Sequence, residues 1–157
     1  MDHNVQIHGV FGDQPELAAV NALRSRYDPL RAARFPLHVS VSYAPQWSLS
    51  QLPRLDVPME LVLGEVRSWP APEVGIYLSA TAAGDWLADL RSRLADQGSP
   101  GYQPYVSLLH HRAVRAEQNV DELLAEFGRD WRPATVKLSS LVAVGQDGAV
   151  LERIRLR

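Results

Sequence analysis

Two short segments of the chain carry residue types suited to acid–base and phosphate chemistry, and they echo one another. The first is Pro36-Leu37-His38-Val39-Ser40-Val41 and the second is Pro104-Tyr105-Val106-Ser107-Leu108. Aligned on their serines, Val39 stands opposite Val106 and His38 opposite Tyr105. Each segment is β-rich, contains a proline at its start and follows a predicted helix. On a strand, residues two apart share a face. His38 and Ser40 therefore project together, as do Tyr105 and Ser107, while Val39 and Val41 turn toward packing. Two such strands lying side by side across a pseudo-twofold axis bring four polar side chains to one point. An imidazole there can move protons near neutrality, and hydroxyl groups can hold anionic oxygens.

Taken singly these residues say little. A lone histidine at a strand start is commonly satisfied by a backbone carbonyl, serine is common on exposed strand faces, and tyrosine simply favours strands. The pairing gives them weight. Around the pair, Trp47 just after the first segment and Tyr102 just before the second are the candidate surfaces for stacking a nucleobase. Trp69 and Tyr77 are further aromatics of that kind, whereas Trp86 at helical spacing with Leu90 and Leu94 reads as core. His111 shares a face with Tyr105 if the strand runs that far, and His110 then points away. His8 is a further candidate on the first strand, and His3 is terminal. Arg112 and Arg115 follow the second segment and read first as surface charge. Adjacent strand residues face opposite sides, so His110 and His111 do not converge on one ion. No metal and no other cofactor is expected.

The elements that must position these residues can be read from periodicity. Val5 to Phe11 reads as a strand closed by Gly12, with Asp13 as a helix cap and Glu16 at the boxing position. Leu17, Val20, Leu23 and Tyr27 recur at helical spacing, and Pro29 ends or kinks that helix. Leu37 to Tyr43 is a strand, followed by a loop from Pro45 to Pro53 with a helical turn. Met59 to Trp69 is a long strand bulged at Gly64, and Val74 to Ala80 another, with Pro70 and Pro72 in the turn between them. Trp86, Leu87, Leu90 and Leu94 mark a helix stopping at Gly98. Tyr105 to Leu109 is a strand. Asn119 caps a helix through Phe127, with Glu122 at the boxing position. Val136 to Val144 and Ala149 to Leu156 form a closing hairpin around Gln146-Asp147-Gly148. Strands follow strands, so antiparallel pairing is expected over a doubly wound parallel sheet.

Composition narrows the classes. The chain has 157 residues, enough for a single domain spanning 1–157. It contains no cysteine, which excludes disulfides, thiolate catalysis and thiolate-bound zinc and suits a cytoplasmic protein. The formal net charge of -2 argues against wrapping duplex DNA, which draws affinity from neutralising phosphates. A small nucleotide or RNA end needs only a local positive patch. No apolar run is long enough to span a bilayer, and Met1 to Asn4 does not begin a secretory signal. No membrane partner is expected.

His38-Val39-Ser40-Val41 and Tyr105-Val106-Ser107-Leu108 resemble the paired His-x-Thr/Ser-x motifs of the two-histidine phosphoesterases, which include the 2′,5′ RNA ligase-like proteins and cyclic phosphodiesterases. The first segment matches the motif fully, and the second has tyrosine in place of histidine. Through element order and motif separation the resemblance extends over nearly the whole chain. It implies an α+β fold of two pseudo-symmetric lobes, antiparallel sheets with helices packed outside, and a central cleft. It also implies a metal-independent phosphodiesterase acting on a cyclic phosphate or on a 2′-linked nucleotide or RNA end. One imidazole would act as base and a second as acid, with the motif hydroxyls on the phosphate.

The tyrosine leaves three assignments open. His38 is the base with Tyr105 as acid or phosphate donor; another histidine supplies the missing role; or the site binds a nucleotide, cyclic nucleotide or RNA end without cleaving it. Ligation, the reverse reaction, would use the same groups.

Overall fold

Strict alternation of apolar and polar residues along the two motif segments sets the centre of the molecule. Residues 5–43, 45–52, 57–95 and 102–156 are described by a computed structural model. They form eight strands, β1 (Gln6–Val10), β2 (His38–Ser42), β3 (Glu60–Ser68), β4 (Ile76–Ala82), β5 (Tyr105–Leu109), β6 (Ala134–Lys137), β7 (Ser140–Val144) and β8 (Val150–Arg155). Four α-helices accompany them, α1 (Ala18–Tyr27), α2 (Pro29–Arg34), α3 (Trp86–Arg93) and α4 (Val120–Arg129). The strands make one antiparallel sheet in the order β6-β3-β4-β5-β2-β1-β7-β8. The class is α+β with antiparallel pairing, as the element order predicts.

The motif strands are neighbours in mid-sheet. β2 and β5 meet through the pair Val39↔Val106, the two valines that the sequence alignment sets opposite each other. Both strands bury the same positions: Val39, Val41, Val106 and Leu108 are at most 1% exposed, while His38, Ser40, Tyr105 and Ser107 are half-buried. The valine face packs on helices, with α1 against β5, α3 against β2 and α4 against β3. Val20, Leu90, Leu123 and Phe127 join it in one apolar cluster. Each such side chain, fully buried, contributes about 1.5–3 kcal/mol. That burial fixes which way the polar residues face, because a one-residue slip would invert the strand.

Several local expectations are met by named interactions. The Asn119 side chain accepts from the N–H groups of Asp121 and Glu122, capping α4. The β3–β4 register shifts between Leu63 and Val66, around Gly64. α1 ends before Pro29, which opens α2, and Asp28 accepts from the Arg31 N–H at 3.4 Å. His3, Pro53 and Gly98 lie outside the described residues.

Two expectations are corrected. Asp13 caps nothing among the described residues: the helical segment opens as a 3-10 turn, Pro15–Leu17, with Gln14 at its cap position. Gln14 instead uses its side-chain amide to tie the Phe11 and Lys137 carbonyls, at 2.6 and 2.5 Å. The run Val136 to Val144 is two strands rather than one. β6 pairs with β3 and β7 with β1, so the chain changes partners at Leu138-Ser139. The Leu138 and Ser139 N–H groups donate to the Met59 and Val10 carbonyls. Leu138 fills the space above Gly9, where a Cβ would lie 2.5 Å from its Cδ1.

That short link also sets the curvature of the sheet. Lys137 and Ser140 are three residues apart and can be separated by about 11 Å at most. Six strand spacings lie between β6 and β7, about 29 Å in a flat sheet. The sheet is therefore curled. Among the described residues no helix is long and apolar enough to cross a membrane.

Candidate functional site

The half-buried face of β2 and β5 opens onto a cavity of about 580 Å3 that takes in His38, Ser40, Tyr105 and Ser107 together. All four residues of the sequence repeat thus line one site. β1 adds His8, α2 adds Arg31 and Arg34, and the segment after β5 adds His110 and Arg112. No aspartate or glutamate is among the described residues that line this cavity. Among the described lining residues, three guanidinium groups, three imidazoles and several hydroxyls with no carboxylate form a basic patch inside a chain whose net charge is -2, a lining chemically suited to an anion.

The hydrogen bonds assign the imidazole nitrogens. His38 Nδ1–H donates to the Pro36 carbonyl at 2.8 Å, since that oxygen can only accept. Its Nε2 is left as the lone-pair nitrogen. Burial lowers the His38 pKa to about 4, with the charges of Arg24 and Arg31 adding to it against the Pro36 hydrogen bond. His38 is accordingly a neutral base at pH 7. The His8 ring stacks on it with centroids 3.8 Å apart and planes 7° from parallel. His8 Nε2–H donates to Gln6 Oε1 at 3.0 Å. Its own pKa falls to about 3, through burial first and then the neighbouring His38 and Arg31. Two face-to-face rings resist double protonation, and their lone pairs lie in parallel planes that do not meet on one ion. Among the described residues no group of three histidine, aspartate or glutamate side chains is disposed to hold a metal.

Antiparallel pairing about Val39 and Val106 sets Tyr105 beside Ser40, and Ser107 beside His38. The Tyr105 hydroxyl lies 3.3 Å from that of Tyr43. Burial first, then the Tyr43 hydrogen bond, pushes the phenol well above its ordinary range, so it is a donor at any neutral pH. An aromatic wall holds its ring. Trp69 meets Tyr105 edge-on at 5.1 Å, and Tyr77 does so at 5.9 Å. Trp69 and Tyr77 stack on each other at 4.1 Å.

β5 ends at Leu109, so the strand does not carry as far as His111. A 3-10 turn, His111–Ala113, follows and swings His110 into the cavity. His111 lines a neighbouring groove of about 370 Å3 with Trp69 and Glu73. The His110 Nδ1 accepts from the Arg112 backbone N–H at 3.2 Å. A neutral His110 therefore carries its proton on Nε2 as a donor. Its pKa is lowered by burial, then by Arg31, His111 and Arg112, against Asp28.

The two stacking candidates sit elsewhere. Tyr102 donates its hydroxyl to the Ser40 carbonyl and lies under the Arg91 guanidinium, 3.8 Å from ring centroid to Cζ. It braces the backbone of β2 and does not line the cavity. Trp47 is half exposed and also outside it. A separate hollow of about 640 Å3 runs along α1, with no histidine or tyrosine among the described residues that line it. Its buried Arg24 donates to the Phe35 carbonyl at 2.5 Å and so props the turn into β2.

The sequence reading missed Arg31, Arg34 and Tyr43 as site residues. The arginines carried a faint signal, since i,i+3 spacing places them on one side of a short helix, but which side faces β2 is a tertiary property. No protein-family model matches the chain, and no curated protein matches it in sequence.

Proposed function

We propose that this chain is a metal-independent phosphodiesterase of the two-histidine type, acting on a cyclic phosphate or on a 2′-linked nucleotide or RNA end. The observation that carries this reading is His38 Nε2, an unprotonated base in a cavity whose described lining holds Ser40, Ser107 and three arginines and no carboxylate. The two-lobed arrangement draws support from strand order. Four strands lie on each side of the Val39–Val106 pair, and the run β1-α1-α2-β2 is echoed by β4-α3-β5. The cysteine-free sequence suits a cytoplasmic setting.

In this reading Ser40, Ser107 and Arg31 hold the non-bridging oxygens. His38 Nε2 takes a proton from water as its oxygen attacks phosphorus. The ester P–O bond breaks, and the departing oxygen takes a proton from the Tyr105 hydroxyl. Tyr105 regains a proton from solvent while His38 loses its own there, so one water is consumed per ester. A phenol of raised pKa suits a leaving alkoxide better than it suits neutral water.

A second reading is favoured by a specific observation: neither His8 nor His38 is charged at pH 7, so the free site holds no strong acid. In that reading the chain holds a cyclic nucleotide or RNA end without turning it over. The two separate in one experiment. Purified protein in EDTA is given 2′,3′-cyclic nucleotides, 2′,5′-linked dinucleotides and cyclic oligonucleotides, with products resolved by chromatography. Turnover that survives EDTA and falls at least about 100-fold in His38→Ala is the expected result. Unaltered turnover in His38→Ala overturns the assignment, and binding without turnover selects the second reading.

A further inference from the structure

We propose that the arginine wall of the cavity holds a second phosphate, so that the ligand is a nucleotide bearing at least two phosphate groups. This rests on the reading of the His38 cavity as a phosphoester site, though not on turnover there. Adjoining that cavity is a second hollow, of about 340 Å3, whose own lining includes Asp28 and Leu30. The two hollows share Arg31, Arg34, His110 and Arg112. One basic wall therefore faces both.

Charge matching points to two anions. A phosphodiester carries a single negative charge, and Arg31 with two serine hydroxyls suffices for it. Arg34 and Arg112 remain, two cations suited to the dianion of a terminal phosphate. None of the three arginines pairs with a carboxylate among the described residues. Like charges gathered on one wall repel, and a bound anion relieves that repulsion.

Arg34 and Arg112 are exposed and Arg31 is half-buried, and neighbouring contacts place their backbone and stems. Gly148, at φ +87°, brings the β7–β8 turn so close that a Cβ there would lie 2.6 Å from Arg34 Cγ and 3.1 Å from Phe35 Cζ. The Arg31 guanidinium rides 5.2 Å above the Phe35 ring. Arg112 is tied through its backbone N–H to His110 Nδ1, which leaves His110 Nε2–H as a neutral donor on the same wall. Asp28, the one acid among the described residues of the second hollow, accepts from the Arg31 N–H at the start of α2.

The test uses ligands without a diester bond, which the protein cannot consume. Adenosine 3′-phosphate and adenosine 3′,5′-bisphosphate are titrated calorimetrically into intact protein at 150 mM salt. Expected is a bisphosphate affinity at least about tenfold higher, as one charge-assisted phosphate contact provides. The ratio falls toward one in Arg34→Gln/Arg112→Gln, and the single variants report the same trend where the double does not fold. It stays at the wild-type value in Arg132→Gln, which removes one positive charge at an exposed position outside the wall. A wild-type ratio near one, or an equal fall in Arg132→Gln, overturns the second subsite while leaving the first. Binding of neither ligand overturns both.

Discussion

At the scale of single residues, the site is asymmetric in a useful way. His38 presents a lone pair on Nε2 because its proton sits on Nδ1, which donates to the Pro36 carbonyl, while Tyr105 presents a proton because burial makes its phenolate costly. The same sheet position in the two motifs thus yields an acceptor and a donor. If Tyr105 protonates the departing oxygen, Tyr105→Phe should lower kcat about 10- to 100-fold with little change in KM. The aromatic contacts with Trp69 and Tyr77 survive that change, since the ring remains. The loss should disappear with a nitrophenyl ester, whose leaving group needs no proton. A loss of equal size on both substrates would instead place the hydroxyl on the phosphate, and no loss on either would remove Tyr105 from the chemistry and turn attention to the His110 Nε2–H.

At the scale of elements, the two motif strands were legible because their information is local. A period of two, with valine on alternate positions, states which side chains share a face whatever the rest of the chain does. The Asn119 cap and the Gly64 bulge were legible for the same reason. Other features depend on partners far away in sequence. The run through Leu138 looks like one strand because its residues are all β-favouring, yet Lys137 pairs with Glu60 and Ser140 with Val10. His110 and His111 exchanged their expected places because β5 stops at Leu109, where a 3-10 turn replaces the two-residue period. Arg31 and Arg34 reach the site only because Pro29 starts a second helix beside β2. The β7–β8 turn belongs to this group too. Its glycine reads as an ordinary hairpin residue, but Gly148 also makes room for Arg34. Gly148→Ala should therefore cost stability twice, through the positive φ and through the 2.6 Å contact. A loss of about 1–3 kcal/mol in urea unfolding is expected, with weaker phosphate binding as Arg34 is displaced. Unchanged stability and binding would mean that the turn moves freely away from α2.

At the scale of the whole molecule, folding is coupled to the protonation of the site it builds. His8 is 4% exposed and lies beneath His38, so both rings are carried into the fold as neutral groups. In the unfolded chain a histidine titrates near 6.5; in the folded protein His8 and His38 titrate near 3 and 4. Between those values the unfolded state binds more protons, so stability rises with pH and is lost on acidification through the unfolded value. Each histidine adds a slope of at most about 1.4 kcal/mol per pH unit. From pH 7 to pH 5 this amounts to about 2 kcal/mol for His8 and less for His38, which lines an open cavity. The window lies above the range in which carboxylates usually protonate, so the histidines dominate it. Urea unfolding at half-unit steps from pH 7 to 5 should show the decline, and His8→Gln should flatten it, since the amide fills a similar space without titrating. An anion in the cavity should flatten it as well, because a bound phosphate favours the protonated imidazoles and raises their folded pKa. A stability profile level from pH 7 to 5 would show instead that the imidazoles are hydrated in the folded state and titrate near their ordinary value.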